Sequence, residues 1–394
     1  MSLPGYLQRC VGGQAVLSGL ALVVTLVTAL APAHARGFVA HEWGTFTSIA
    51  GKDGLAVYWL PLSGPNDLPC FVNHSDDSAR FKGGLMGTVR METPVLYFYT
   101  SRELTITAEA RFPQGLITEW YPRAELPANA NPPGMRDGGI AWRDVIVSPN
   151  SAPAFADDGS PSHYYAARAV EATPLRVGKE QERFLFYRGV GQFELPLSAR
   201  AIEQGEVLVG NHSEEAIGGM VFFEKRGNKL GYRVYPKLQG HQRLVIEPLS
   251  LDGDVAGLRH EIEQMLVAQG LYPSEAKAML ETWRDTWFEE GARLLYLVPR
   301  RTIDTVLPLS ITPKPDQTTR VFVGRLEVIT PATMDAVAQA IADHDSATFR
   351  RYGRFATPIV QRISAERGHV FNEDLSRVWG NRAAPSAVQG CPTN

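Results

Sequence analysis

A long series of short segments with β-strand composition, separated by turn residues, constrains the fold more than any other feature of this sequence. The clearest of them, Leu104 to Phe112, has apolar residues at every second position and threonines or charged residues between them. That pattern is typical of a strand with one face in the core and one in water. Val95 to Tyr99 precedes it and Leu116 to Tyr121 follows after short turns, so we expect residues 95–121 to form an antiparallel meander.

Further strands are predicted on both sides of this stretch. Phe38 to Ile49 and Leu55 to Leu60 form a predicted hairpin, and a second group of strands begins at Tyr164 to Val170 and continues to position 247. In that group the loop Lys225 to Lys229 contains a glycine followed by an asparagine, which favours a tight hairpin turn. A spacing of about ten residues between strands suits a sandwich.

The hydrophobic period changes from strand-like to helical after position 254. Val255 to Gln269 carries an apolar stripe at helical spacing, and Pro273 begins a second helix whose apolar face continues to Trp283 and Trp287. We expect these two tryptophans to lie in the core. Thr330 can cap a helix that begins at Pro331, and a last helix is predicted over residues 358–366.

These elements define a mainly β fold, with one or two antiparallel sandwich-like units, an inserted helical pair and C-terminal helices. The predicted boundaries are 1–35 for a signal peptide, 36–126 for an N-terminal β unit, 163–250 for a second β unit, 251–291 for the helical pair, 292–383 for β strands and C-terminal helices, and 384–394 for a disordered tail.

The N-terminus has the pattern of a secretory signal peptide. An apolar run from Val16 to Ala31 follows a single arginine, Arg9, and precedes the small-x-small sequence that ends at Ala35. The alternative is an uncleaved anchor, but a bilayer core needs about 20 apolar residues and this run is shorter. We therefore expect cleavage after Ala35 and export of a soluble protein, either periplasmic or secreted.

Charge and cysteine content narrow the function further. The chain has 39 Lys and Arg against 42 Asp and Glu, and this balance excludes a nucleic-acid binder that works through bulk positive charge. Cleavage would leave two cysteines, Cys70 and Cys391. An oxidising compartment permits a disulfide, but spacing in sequence does not bring two Cα atoms within bridging distance, so a disulfide and two free thiols both remain open.

Several strings of this sequence look familiar together: HEWGTFTS at 41–48, METPV at 91–95, ITEWYP at 117–122, WRDTWFEEG at 283–291 and RVFVGRLE at 320–327. Together they resemble a group of exported bacterial proteins of unassigned function, over most of the mature chain. The resemblance implies export and brings with it no reaction, cofactor or catalytic residue.

Common catalytic and metal motifs are missing from the sequence. A zinc protease of the His-Glu-x-x-His kind would need a second histidine four residues after His41, where the chain has Thr45. The sequence also lacks Cys-x-x-Cys, Gly-x-Ser-x-Gly and a phosphate-binding P-loop. Any active site must therefore be built from residues that are scattered along the chain.

Polar residues inside apolar strands are the remaining candidates. The catalytic candidates are Glu42, Glu119 and His163, with two carboxylates as acid and base. The candidates for holding a divalent metal are His41, Glu92 and His163. Because Glu42 would share a strand face with apolar side chains, we expect it to be buried and paired with a cation or a metal.

The alternative is structural. Each glutamate would then make a buried ion pair with Arg90, Arg168 or Arg188, and the histidine at position 41 would face solvent. Glu289 and Glu290, at the end of a predicted helix, also need a cationic neighbour because carboxylates there oppose the helix dipole. Arg293 and Arg300 are close in sequence.

Exposed aromatic residues on a sheet face would instead indicate glycan binding, by analogy with other β-sandwiches. The candidates are Trp59, Trp120, Tyr121 and Trp142. The sequence thus favours an exported, non-catalytic protein that binds a small ligand or a glycan-like component of the cell envelope. The alternative is a hydrolase of an envelope polymer that uses the carboxylate and histidine cluster, with or without a metal.

Overall fold

The computed structural model describes residues 37–63, 67–75, 84–126, 137–368 and 391. The predicted signal peptide and the predicted tail, apart from Cys391, lie outside these residues.

A large mixed sheet organises the structure. Its nine strands, in spatial order, are β13 (Lys229–Leu238), β12 (Ile217–Arg226), β15 (Gly291–Leu297), β17 (Gln317–Val328), β1 (Val39–Ile49), β3 (Val89–Tyr99), β9 (Phe184–Gly191), β5 (Gly115–Tyr121) and β2 (Asn73–His74). The central pair β1 and β17 is parallel, and the other neighbours are antiparallel. Segments from 36–126, 163–250 and 292–383 all contribute strands to this sheet.

Two smaller antiparallel sheets accompany it. The second sheet consists of β16 (Leu309–Thr312), β4 (Leu104–Phe112), β6 (Gly138–Val147), β7 (Leu175–Val177) and β8 (Glu180–Glu182). The third sheet consists of β10 (Leu197–Ala201), β11 (Val207–Asn211) and β14 (Arg243–Ile246). All three sheets share one apolar core, in which Phe46 and Phe98 of the large sheet are buried with Trp142 of the second and Val209 of the third. We call this side of the large sheet the sandwich face.

Helices cover the opposite side, which we call the helix face. The helices are α1 (Val255–Ala268), α2 (Pro273–Thr282), α3 (Arg300–Val306), α4 (Pro331–Ala342), α5 (Ser346–Arg350) and α6 (Ala356–Arg367), with short 3-10 helices at His163–Ala169, Glu203–Gly205 and Gly353–Phe355. Of these, α3 packs at the sandwich core through Ile303. None of the described helices is long and apolar enough to cross a lipid bilayer.

Two separate apolar clusters lie on the helix face. The helical-pair cluster joins Trp43 and Tyr97 of the sheet to α1, α2 and the 3-10 helix at 163–169. The C-terminal cluster joins Ile49 of β1 and Trp59 to α4, α5 and α6. The predicted fold class is thereby confirmed: the chain is mainly β, with sandwich-like sheets, a helical pair and C-terminal helices.

Several local predictions are confirmed. α1 begins after Asp254, whose carboxylate accepts a hydrogen bond from the Gly257 N–H, and Thr330 caps α4. β12 and β13 form the predicted hairpin. Trp283 and Trp287 stack with their ring centroids 6.3 Å apart and are buried in the helical-pair cluster.

The predicted meander is wrong, although its strands exist. β4 leaves the large sheet and pairs with β16 and β6, while β3 and β5 each pair with β9. The apolar side of β4 is buried as predicted, with Ile106 and Ala108 nearly inaccessible. A period-2 pattern specifies which face of a strand is buried, but it does not specify which sheet buries it.

Three further predictions need correction. Residues 55–60 form no strand, and the first predicted hairpin is reduced to one antiparallel bridge between Ala50 and Ala56. The predicted strand Tyr164 to Val170 is a 3-10 helix, because Ser162 accepts the Tyr164 N–H and caps it. The second helix ends at Thr282, well before Gly291. The carbonyl groups of Trp287, Glu289 and Glu290 are bonded instead by the guanidinium group of Arg293.

Cys70 and Cys391 form a disulfide, with their Cα atoms 5.0 Å apart. This bridge settles the alternative that the sequence left open.

Candidate functional site

A row of charged and hydroxyl side chains crosses the helix face between the two apolar clusters. We call it the charged row. Its members in the sheet are Glu119 on β5, Arg188 on β9, Arg90 and Glu92 on β3, Thr45 and Thr47 on β1, Arg325 and Glu327 on β17, and Arg293 on β15. All of them are buried. Each of the five strings noted in the sequence supplies at least one residue to this row or to its contacts.

Strand register brings these side chains together. Glu119 lies opposite Arg188. Thr45 lies opposite Glu92, and Thr47 has Arg90 on one neighbouring strand and Arg325 on the other. Residues directly opposite each other on adjacent strands present side chains to the same face within contact range. The row is therefore continuous across the middle of the large sheet.

Two side chains reach the row from outside the sheet. Arg354, in the 3-10 turn Gly353–Phe355, places its Nη2 atom 2.5 Å from Oε1 of Glu92. Glu289 accepts a hydrogen bond from Nη2 of Arg325 at 3.1 Å. Gly353 has φ +50, and a side chain there would meet Glu289, so glycine suits the turn that delivers the arginine.

One end of the row is fully bonded. Glu327 receives Arg325 Nε at 2.6 Å and Arg293 Nε at 2.8 Å. Arg293 also donates to three backbone carbonyls, as described above. Arg293 is thus a structural residue that links the sheet to the turn before β15. The cation that pairs with Glu289 is Arg325, whereas the sequence suggested Arg293 or Arg300. Glu290 accepts a hydrogen bond from the Gly227 N–H.

The centre of the row is not fully bonded. Among the described residues, the hydroxyls of Thr45 and Thr47 and both carboxylate oxygens of Glu92 have no hydrogen-bond partner. The same is true of Nε of Arg90, Nη1 of Arg325 and Nη2 of Arg354. Leaving a buried polar atom unsatisfied costs about 1–3 kcal/mol. Each such atom calls for an explanation, and a functional role is one of them.

The formal charges of the row balance. Its five arginines, Arg90, Arg188, Arg293, Arg325 and Arg354, face five carboxylates, those of Asp67, Glu92, Glu119, Glu289 and Glu327.

These charges and the burial of the row shift the pKa values of its groups. Burial alone would raise the pKa of the Glu92 carboxyl, but Arg354, Arg90 and Arg325 outweigh it and hold the pKa below its usual range. Burial raises the pKa of Glu289, and the nearby arginines offset only part of that rise. Burial lowers the pKa of Arg354, which Glu92 partly restores.

The far end of the row carries a second ion pair. Arg188 donates to Asp67 at 2.7 and 3.0 Å and to Thr93 at 3.1 Å. Burial would raise the pKa of Asp67, but the charge and hydrogen bonds of Arg188 lower it. Burial lowers the pKa of the nearby His74, although Glu119 opposes the shift.

The predicted catalytic residues do not converge. Glu42 lies on the sandwich face, where it accepts Tyr187 Oη at 2.5 Å and Arg320 Nε at 2.6 Å. Glu119 lies on the helix face, and His163 pairs with Asp285 at the surface, 3.1 Å away. The sheet itself separates the two carboxylates. The expectation that Glu42 is buried and paired with a cation is confirmed, and its partner is Arg320.

The predicted metal ligands also have separate partners. The structural alternative placed His41 at the surface, but it is buried. Its Nδ1 atom lies 2.9 Å from Oε2 of Glu275. Glu92 faces arginines, and a cation-rich setting does not favour a divalent metal. Across the described ranges, no group of three or more histidine, cysteine or acidic residues is placed to hold a metal ion.

The four predicted glycan-binding residues are all buried, so they do not form an exposed aromatic row. Trp120 and Trp142 lie in the sandwich core, and Tyr121 lies in the helical-pair cluster. Trp59 stacks on Phe355 in the C-terminal cluster, with ring centroids 5.6 Å apart. Their apolar surfaces pack in the core. From the sequence alone, a buried aromatic residue on a strand cannot be distinguished from an exposed one.

One feature of the sequence indicates the charged row. In the string RVFVGRLE, Arg325 and Glu327 share a strand face with Val321 and Val323. Charged residues that continue an apolar face indicate buried, paired charge. Arg354 has no comparable signal, because it enters the row from a turn.

Comparisons with known proteins add little to this geometry. No family model matches the chain, and no curated protein sequence matches it. Among solved structures it is similar to the Fcho1 Mu homology domain of Danio rerio with bound Eps15 peptide, at 8% identity and a TM-score of 0.30, covering 74% of this chain and 96% of that one. It is also similar to the yeast delta-COP-I mu-homology domain complexed with Dsl1 WxWxV peptide, at 9% identity and a TM-score of 0.27, covering 74% of this chain and 96% of that one. Scores this low carry no argument about function.

Proposed function

We propose that this chain is an exported, non-catalytic protein that binds a ligand at the centre of the charged row. The observation that carries the proposal is the group of buried hydrogen-bonding atoms there, on Thr45, Thr47, Glu92, Arg325 and Arg354, that have no partner among the described residues. A ligand that bonded to them would remove the cost of leaving them unsatisfied.

The state of Glu92 argues against its acting as the acid of a hydrolase. The lowered pKa of Glu92 keeps it ionised near neutral pH, so it has no proton to give to a leaving group. Glu42, the other strongly buried candidate, lies on the opposite face and is held by Arg320 at 2.6 Å. A pair of carboxylates acting as acid and base is thus not assembled from the predicted residues.

The disulfide supports export. Disulfides persist in oxidising compartments such as the periplasm or the extracellular space and are rare in the cytosol. The bridge between Cys70 and Cys391 fits the predicted signal peptide. Mass spectrometry of the protein purified from its native host should give an N-terminus at Arg36. An intact Met1 would contradict export by this route.

Binding at the row can be tested with a defined panel. The melting temperature of the mature protein would be measured in the presence of neutral disaccharides, amino acids, carboxylates and phosphate monoesters, each at millimolar concentration. The matched control is the double variant T45V/T47V, which keeps the shape and every charge of the row. A compound that raises the melting temperature of the wild type, but raises that of the variant less, supports the proposal. Equal behaviour of both proteins across the panel would contradict it.

A hydrolase is the second candidate, and one observation favours it. Nδ1 of His41 lies 2.9 and 3.1 Å from the two oxygens of Glu275, which Tyr99 also bonds at 2.6 Å. A carboxylate accepts only, so Nδ1 of His41 donates to Glu275, as in hydrolases that orient a histidine with an acid, although His41 itself is buried. Purified cell-wall polymer incubated with wild type and with His41→Asn would show whether soluble fragments are released and whether release depends on His41.

A further inference from the structure

We propose that the ligand of the charged row is a small oxyanion of the carboxylate or phosphate class. Its oxygens would accept hydrogen bonds from three guanidinium groups and two hydroxyls, those of Arg90, Arg325, Arg354, Thr45 and Thr47. This inference rests on the proposed function, since it requires the row to be a binding site.

The unpartnered atoms are mostly donors. A guanidinium group has N–H groups and no acceptor, so Nε of Arg90 and Nη1 of Arg325 can be satisfied only by an acceptor. Nη2 of Arg354 makes no hydrogen bond but already lies 2.5 Å from Oε1 of Glu92, with which an anion would share it. The planar guanidinium group matches carboxylate and phosphate oxygens better than it matches the carbonyl or hydroxyl oxygens of neutral ligands. The donor set therefore selects an oxyanion.

The two threonines stand between these donors. β1 lies between β3 and β17, so Thr45 faces Glu92 across one strand gap and Thr47 faces Arg325 across the other. Both side chains are completely buried. Their hydroxyls can each donate to the same anion.

Glu92 acts in this arrangement as an internal counter-ion. It touches Nη2 of Arg354 at 2.5 Å and lies 3.9 Å from Nε of Arg90, yet neither of its oxygens makes a hydrogen bond within the described part of the chain. A carboxylate that neutralises an arginine without saturating it competes with an incoming anion. Removing its charge should tighten binding.

A cleft borders the row at Glu327, and Tyr352, Phe355 and Ile359 line its helical side. The ring of Phe355 packs against both arginines, with its centroid 4.8 Å from Cζ of Arg325 and 5.1 Å from Cζ of Arg354.

The experiment is titration calorimetry of the mature protein with inorganic phosphate and, separately, with succinate. Four proteins are compared: the wild type, T45V/T47V, Glu92→Gln and the surface control Arg143→Gln. Arg143 is half exposed and pairs with Glu109 and Glu125 away from the row. Circular dichroism confirms that each variant is folded.

The expected result is binding of at least one of the two anions, about tenfold weaker in T45V/T47V and about tenfold tighter in Glu92→Gln, with Arg143→Gln unchanged. Binding of phosphate alone would identify the ligand as a phosphate, and binding of succinate alone would identify it as a carboxylate. No binding of either anion, or equal binding by all four proteins, would overturn the inference. If a neutral compound from the panel above bound at the row, the proposed function would stand and this inference alone would fail.

Discussion

The two faces of the large sheet bury carboxylates to the same extent but in different ways. Glu42 on the sandwich face is 0% exposed and Glu92 on the helix face is 1% exposed. Each oxygen of Glu42 has a donor, Tyr187 Oη at 2.5 Å or Arg320 Nε at 2.6 Å. Neither oxygen of Glu92 has a hydrogen-bond donor among the described residues, although Arg354 is close enough for an ion pair.

The difference lies in bonding, since burial is equal. Both oxygens of Glu42 are bonded and, of its network, Nη2 of Arg320 alone among the described atoms lacks a partner, whereas several donors and both carboxylate oxygens of Glu92 lack one at the centre of the row. The Glu42 network is continuous with the apolar sandwich core and ends at Asp304 on the surface. The charged row, between two apolar clusters, retains unused donors. We therefore propose a structural role for the Glu42 network and a binding role for the charged row.

The largest effect should come from breaking the hydrogen-bonded pair of Glu42 and Arg320. Glu42→Gln keeps the shape and removes the charge that Arg320 faces, and separating a buried ion pair costs about 3–5 kcal/mol of unfolding free energy. Urea unfolding of the variant beside the wild type measures the loss. Asp304→Asn is the control, because this half-exposed partner of the same arginine should contribute less than about 1 kcal/mol. If Glu42→Gln were as stable as the wild type, the structural assignment would be wrong.

Glu92→Gln should cost less, about 1–3 kcal/mol at neutral pH, because no hydrogen bond to the carboxylate is lost. Its effect should also depend on pH. The folded pKa of Glu92 is lowered, because the arginines outweigh its burial. The stabilisation is therefore fully present above the ordinary glutamate pKa of about 4.3 and is lost as pH falls through the lower folded value.

Unfolding of wild type and Glu92→Gln at pH 7, and again at the lowest pH at which both remain folded, checks this prediction. The difference between the two proteins should shrink toward acid. A difference that grew as the pH fell would mean that Glu92 is protonated in the folded protein.

The smallest effect, and the one of opposite sign, concerns buried hydroxyls. Thr330 caps α4 with its side chain, so Thr330→Val should cost about 1 kcal/mol. The hydroxyls of Thr45 and Thr47 have no partner in the described part of the row, so T45V/T47V should melt at or above the wild-type temperature. A clear drop for T45V/T47V would indicate that these hydroxyls are already bonded and would weaken the contrast between the faces.

Local features of the fold could be predicted from the sequence because they depend on neighbouring residues. The alternation in β4 predicted the burial of Ile106, and Thr330 before a proline predicted the start of α4. The apolar face-mates of Glu42 predicted its burial and its need for a cation. In each case the physical cause lies within a few positions of the residue.

Partners far apart in the chain could not be predicted in the same way. Glu42 and Arg320 are 278 positions apart and meet because β1 and β17 pair in parallel. The path of β4 into the second sheet and the arrival of Arg354 from a turn are likewise results of tertiary packing. The candidate site consists of contacts between residues that are far apart in the chain. The sequence could therefore suggest Glu92 as a site residue, but it could not show that arginines, and not a metal, lie beside it.

The disulfide has a consequence for how this protein responds to proteases. Cys70 and Cys391 are separated by 321 positions, so nearly the whole described chain lies inside one covalent loop. A single cut anywhere in that loop leaves both fragments joined through sulfur. The cut protein would keep its full mass on a non-reducing gel and separate into two bands only after a thiol reductant is added. Surface loops between the two cysteines can therefore be nicked without loss of either part of the molecule.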